Sequence, residues 1–246
     1  MARNIDALWD FEDPTGSADR FRAAIVRADG AERDVLTTQL ARALGMAGRY
    51  DEAERLLESL DAATNAVDRG PEVVVRVALE RGRLRRSAGR PDPEPLRTAA
   101  DLAEAAGLEA LRIDALHMLA LIAETPEAQV AANREALGIA RTATDPRARR
   151  WEASLLNNLG CALVDAGDPG TALEVFRQAQ QIRRDAGQAR EEQIARWMVA
   201  WALRLLGRRT QALAMQRALK EDLIAAGIDD EDVDAEIALL TDPLRS

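Results

Sequence analysis

Apolar residues recur at three- and four-residue intervals over most of the chain, the spacing that places them on one face of an α-helix. Leu36, Leu40, Ala43 and Leu44 form one such stripe. Tyr50, Ala53, Leu57 and Leu60 form a second, with Gly48 closing the turn between them. Near the far end, Val233, Ile237 and Leu240 point inward in a short helix over Asp230–Leu240 whose acids face out. One segment dissents: Val73, Val74, Val75 and Val77 read locally as a strand. Pro71 just ahead of them suits the first turn of a helix, and the larger register overrides the local preference. The whole pattern predicts about twelve helices and no strand.

The stripes themselves repeat. Small residues stand at Ala41, Gly82, Ala120, Gly160 and Ala200, at spacings of 41, 38, 40 and 40 residues. Around the fourth, the chain reads Asn157-Asn158-Leu159-Gly160, then Ala166-Gly167-Asp168, then Ala172-Leu173 with Phe176 and Ala179 following. That is a helix, a tight turn and a second helix, with small residues where two helices touch. A fixed period of this kind defines a stack of hairpins, each burying its apolar face against its neighbours. The expected organisation is an N-terminal segment and capping helix over 1–33, a repeat array over 34–226, and a capping helix and tail over 227–246. The first capping helix is expected to start at Ser17 as N-cap and to end near Gly30. The turn of the second repeat, Gly89 to Pro95, is proline-rich, and that of the third shrinks to Thr125-Pro126.

These positions resemble the tetratricopeptide repeat family. Repeat four supplies Leu159, Gly160, Gly167, Ala172, Phe176 and Ala179, with Pro169 departing from the family's aromatic. Repeat one supplies Leu40, Ala41, Gly48, Tyr50 and Ala53, and repeat five Val199, Ala200, Gly207 and Ala212. The period near forty is similar to the long-loop variants of kinesin light chains and bacterial regulators. A narrower resemblance, to bacterial tetratricopeptide proteins of unassigned activity, rests on Leu8-Trp9-Asp10-Phe11-x-Asp13-Pro14, His117-Met118-Leu119-Ala120, Arg147-Ala148-Arg149-Arg150-Trp151 and Ile194-Ala195-Arg196-Trp197. The resemblance implies an all-α fold, a right-handed α-solenoid of five hairpins with flanking helices, built for binding.

Composition narrows the chemistry. The net charge of −9 argues against nucleic acid, which needs a basic face. The arginines at 81, 83, 85 and 86, and at 147, 149 and 150, are expected to solvate helix surfaces or pair with nearby carboxylates. Aromatics make up only 3% of residues, so the core must be Ala, Leu, Ile and Val. A single cysteine, Cys161, excludes an internal disulfide, and a single histidine, His117, excludes a multi-histidine metal site. No phosphate-binding loop or nucleophile elbow is present. No leader or membrane span is read, so the expectation is a cytoplasmic chain without cofactor, metal or membrane partner.

In such a stack the first helix of each hairpin lines an inner wall. Two positions one turn apart on it face the groove: Thr38, Leu79, His117, Asn157 and Trp197, and then Arg42, Arg83, Leu121, Cys161 and Trp201. The candidate groove residues are Arg42, Arg83, His117, Asn157, Asn158, Trp197 and Trp201. An amide can accept from and donate to an extended peptide, indole is a favoured anchor, and guanidinium forks onto carboxylates. Trp197 and Trp201 also suit packing against the terminal helices, and Asn157 and Asn158 suit interhelical hydrogen bonds. The family's lysine-based clamp for peptide C-termini is not matched, and Arg42 or Arg83 would have to substitute. The expected function is a non-catalytic scaffold that holds a protein or peptide partner. The alternatives are a regulatory sensor holding a small ligand or signal peptide, and, less favoured, a thiol enzyme built from Cys161, His117 and Asn157. A homodimer burying the tryptophan end is compatible with each.

Overall fold

The structure, a computed structural model, describes residues 5–62 and 70–242. Among them lie thirteen α-helices, one 3-10 turn and no strand, the all-α repeat fold expected. The first and last four residues of the expected terminal segments fall outside the described residues. Two compact units divide the chain, 1–123 and 124–246, with the division inside the third expected repeat.

The first unit runs through a 3-10 turn (Ile5–Leu8), α1 (Pro14–Ile25), α2 (Gly30–Met46), α3 (Tyr50–Ala62), α4 (Pro71–Ser87), α5 (Glu94–Ala105) and α6 (Glu109–Ile122). Its first helix begins before Ser17. Asp13 is the cap and accepts from the Gly16 amide at 2.9 Å, with Pro14 in the first turn. Ser17 is instead fully buried, and its hydroxyl donates to the Asp10 carbonyl while accepting the Asp10 amide. Local cap preference lost here to a tertiary fold-back of the preceding segment. Arg20 donates to the Leu8 carbonyl and the Ser17 hydroxyl and ties that segment down. The valine run is helical. Val73, Val75 and Val77 are all buried because α4 packs against α2, α3, α5 and α6 and so has apolar neighbours on more than one face.

The second unit comprises α7 (Pro126–Thr142), the short α8 (Pro146–Arg149), α9 (Glu152–Asp165), α10 (Pro169–Asp185), α11 (Ala189–Leu205), α12 (Arg209–Ala225) and α13 (Glu231–Thr241). The turn between α9 and α10 shows how sequence sets each hairpin. Gly167 takes a φ of 80°, open to glycine without strain. Its amide and that of Asp168 then donate back to the Val164 and Leu163 carbonyls at 2.9 and 2.8 Å, closing the helix end. Asp168 at once caps α10 by accepting from the Thr171 amide.

The periodic small residues sit at helix contacts. Ala41, Ala120 and Ala200 are 2, 4 and 1% exposed, and Gly82 and Gly160 are buried. A Cβ on Gly82 would lie 2.3 Å from Leu96, and one on Gly160 would lie 2.2 Å from the Phe176 ring. Leu36, Leu44, Leu57 and Phe21 fill the first unit, each contributing about 1.5–3 kcal/mol by burial. Leu155, Leu156, Phe176 and Leu203 fill the second. In α13, Val233 and Leu240 are buried and Ile237 packs beside them, as the stripe predicts. Glu236 is the exception to the outward acids. It is buried and takes both forks of Arg204 at 2.7 and 2.8 Å.

Candidate functional site

In the first unit the candidate arginines enter one network. Arg83, on α4, donates to Glu80 one turn earlier at 2.6 Å and to Asp114 on α6. All three side chains are at most 15% exposed. Burial disfavours the Arg83 charge, but Asp114 and Glu80 outweigh it and hold the guanidinium above its ordinary pKa. Burial likewise opposes the Asp114 charge, and Arg83 outweighs it, holding that carboxyl below its ordinary value. Glu80 gives one oxygen to Arg83, while its other oxygen is buried without a hydrogen-bond partner among the described residues.

Arg42, on α2, is treated differently. Its guanidinium lies 5.2 Å from the Trp9 ring centre and 5.6 Å from that of Phe11, two rings stacked at 4.9 Å. Trp9 is in turn fixed by its indole N–H donating to Gln39 Oε1 at 3.2 Å and by an edge contact with Phe21. Arg42 therefore has aromatic faces but no carboxylate of the described residues in hydrogen-bond reach. Burial, and then the Arg83 charge, lower its pKa. His117, on α6, is half-buried, and burial pushes its pKa down against the pull of Asp114. Between α2, α4 and α6 lies a cavity of about 180 Å³, whose lining includes Arg42, Glu80, Arg83 and Arg86.

In the second unit Asn157 and Asn158 are half-buried on α9, and the Asn157 Oδ1 is covered without a hydrogen-bond partner among the described residues. Trp197 and Trp201 stack one turn apart on α11 with ring centres 5.9 Å apart. Trp201 also meets the Phe176 ring at 6.2 Å. Trp197 packs against the Leu219, Leu223 and Val233 cluster of the last two helices, and its indole N–H is buried without an acceptor among the described residues. So Trp197 serves the terminal packing, and all three of Trp197, Trp201 and Asn157 are half-buried. Burial, with Asp165 nearby, raises the Cys161 thiol pKa, the opposite of what a nucleophile needs.

Most of the expected arginine pairings are present: Arg81 with Glu54 and Asp61, Arg85 with Asp92, and Arg147 with Asp145. Arg86 makes no such pair among the described residues. Sequence reasoning missed Glu80, Asp114 and Arg86 as site residues. The Glu80–Arg83 spacing of one turn was a visible signal for the first. Nothing local marked Asp114, which meets Arg83 from another repeat. Among the described residues no group of His, Cys, Asp or Glu could hold a metal ion, and no helix is long and apolar enough to cross a membrane.

These helical hairpins with small residues at their contacts define an all-α helical-repeat protein. The tetratricopeptide repeat family model matches residues 37–60 and 153–186, the heart of repeats one and four. Among solved structures, BtubC (BKLC) from P. vanneervenii aligns with a TM-score of 0.71 and 20% identity, over 92% of this chain and 94% of that one. A putative kinesin light chain from Podosopora anserina, with nearly identical TPR-like repeats, gives a TM-score of 0.63 and 17% identity, over 79% and 96%. A point variant of that protein gives 0.60 and 17%, over 81% and 99%. No curated protein matches the sequence.

Proposed function

We infer that the protein is a non-catalytic binding module that holds an extended segment of a partner protein along the inner helices of its repeats. Tetratricopeptide repeats mediate protein–protein interaction, which supports the class. The observation that carries the reading is Asn157. Its amide oxygen is shielded from water and unmatched by any described residue, and such a group gains a full hydrogen bond when a peptide N–H arrives. Asn158 beside it and Trp201 one repeat later offer a second amide and a half-exposed indole for the same segment. The raised thiol pKa of Cys161 favours binding over thiol chemistry.

The test is capture from a lysate of the source organism by wild type and by Asn157→Ala/Trp201→Ala. The double variant should lose a specific partner while keeping the helical circular dichroism of the wild type. Capture at full strength by a folded double variant would remove this face as the binding surface.

A further inference from the structure

The cavity between α2, α4 and α6 gathers three polar groups left over from the network around it. Arg83 donates through one terminal nitrogen to Glu80 and through the other to Asp114, so its charge is already matched. The Arg42 face is covered by Trp9 and Phe11, but its N–H edges make no hydrogen bond to a described residue. Arg86 lines the same cavity and pairs with no described carboxylate. Opposite in sign, Glu80 has a side chain 1% exposed and one oxygen without a donor among the described residues. The rest of the wall includes Met46, Leu84 and Met118, which are apolar, two of them flexible thioethers that adapt to an apolar guest.

Each leftover group specifies a ligand feature. A simple anion would satisfy Arg42 and Arg86 but leave the Glu80 oxygen without a donor beside a second negative charge. A simple cation would satisfy Glu80 and face two unmatched guanidiniums. Only a molecule carrying a carboxylate and a nearby N–H cation answers both, and forked guanidinium contacts suit the carboxylate. The volume of about 180 Å³ lies below the roughly 300–1,000 Å³ typical of drug-sized ligands. We propose that this cavity binds a free α-amino acid with an apolar side chain, its carboxylate on Arg42 and Arg86, its ammonium on Glu80, and its side chain among Met46, Leu84 and Met118. The site lies wholly in the first unit and does not depend on partner binding by repeats four and five.

Calorimetric titration of the full chain tests it, with L-leucine and L-methionine as probes. At least one should bind saturably below millimolar concentration and raise the melting temperature. 4-Methylpentanoate, without the amine, and 3-methylbutylamine, without the carboxylate, should each bind at least tenfold more weakly. Arg86→Gln, at an exposed residue that pairs with no described carboxylate, should lose at least tenfold in affinity with an unchanged melting temperature before ligand is added. N-acetyl-L-leucine keeps the carboxylate but presents only a neutral N–H, as the last residue of a peptide does. Binding of N-acetyl-L-leucine as tight as that of leucine would overturn the free amino acid in favour of a peptide end. No saturable binding of either amino acid, equal binding of 4-methylpentanoate, or full affinity in Arg86→Gln would overturn the proposal as well.

Discussion

Gly160→Ala is the sharpest test of the hairpin packing. An added Cβ would stand 2.2, 2.5 and 2.6 Å from three carbons of the Phe176 ring. Carbon atoms rest at about 3.5–4.0 Å, so ring or helix must move by more than about 1 Å. Phe176 is 0% exposed and has no free space to swing into. Overpacking of this kind costs about 1–3 kcal/mol, and an overlap this deep with a rigid ring belongs near the upper end. Alanine returns about 1 kcal/mol through helix propensity. The net loss is therefore about 2 kcal/mol, or about 4–8 °C in melting temperature for a chain of this size. Gly138→Ala is the matched control. Gly138 is an exposed residue in the body of α7, and a Cβ there meets nothing within 4 Å. It should gain about 0.5–1 kcal/mol. Urea unfolding followed by tryptophan fluorescence suits both, because Trp151, Trp197 and Trp201 all lie in the second unit. In a Phe176→Leu background the cost of Gly160→Ala should shrink by at least about 1 kcal/mol, because the clashing ring is gone. A Gly160→Ala protein as stable as wild type would refute the close contact between α9 and α10.

Three further outcomes follow from the same geometry. Asp114→Asn should cost about 3 kcal/mol at neutral pH by breaking a mostly buried pair with Arg83. The folded Asp114 pKa lies below the ordinary 3.8. Its contribution is thus complete above that value and lost as pH falls through the folded pKa, so urea titrations at pH 7 and pH 2.5 should show the variant's deficit narrowing in acid. Cys161 should react with a maleimide more slowly than a free thiol at pH 7, and at the ordinary rate in urea, because burial raises its pKa; fast native labelling would contradict this. Glu236→Gln, which weakens the two-pronged contact with Arg204, should cost about 1.5–3 kcal/mol and speed amide exchange in α13 ahead of the other helices.

The repeat register was legible because it is written in packing. Ala41, Ala120 and Ala200 are buried, and Gly82 and Gly160 meet Leu96 and Phe176 at distances that exclude a Cβ. A forty-residue recurrence of small residues has no other physical reading. Helix starts were legible where a local cap decides them, as at Asp168 and Asp230, and failed at Ser17, where Asp10 and Arg20 claimed the hydroxyl. The polar network was the least legible part. Periodicity says that Arg83 and Asp114 each lie on a given side of a helix, but not that two helices from different repeats bring them together. Glu236 was misread for the same reason: the stripe assigns acids outward, and Arg204, 32 residues away, turns one inward.

That contrast bears on where specificity resides. Equivalent contact positions in the five repeats hold only alanine or glycine, because one helix must approach another closely there. The equivalent inner positions hold Thr38, Leu79, His117, Asn157 and Trp197, with nothing in common between them. Packing therefore leaves these positions free, and each has been settled by its own neighbours. Thr38 is fully buried and returns its hydroxyl to the Val35 carbonyl, and Leu79 is fully buried in the core. Trp197 belongs to the terminal cluster. Asn157, by contrast, retains a shielded oxygen that no fold requirement explains, and Glu80, one position beyond Leu79, does the same at greater electrostatic cost. Asn133 Oδ1, the Trp197 indole N–H and both ends of the Gln216 amide are also buried without a partner among the described residues, but Glu80 lines a cavity and Asn157 is only half-buried, so these two residues mark the surfaces to probe.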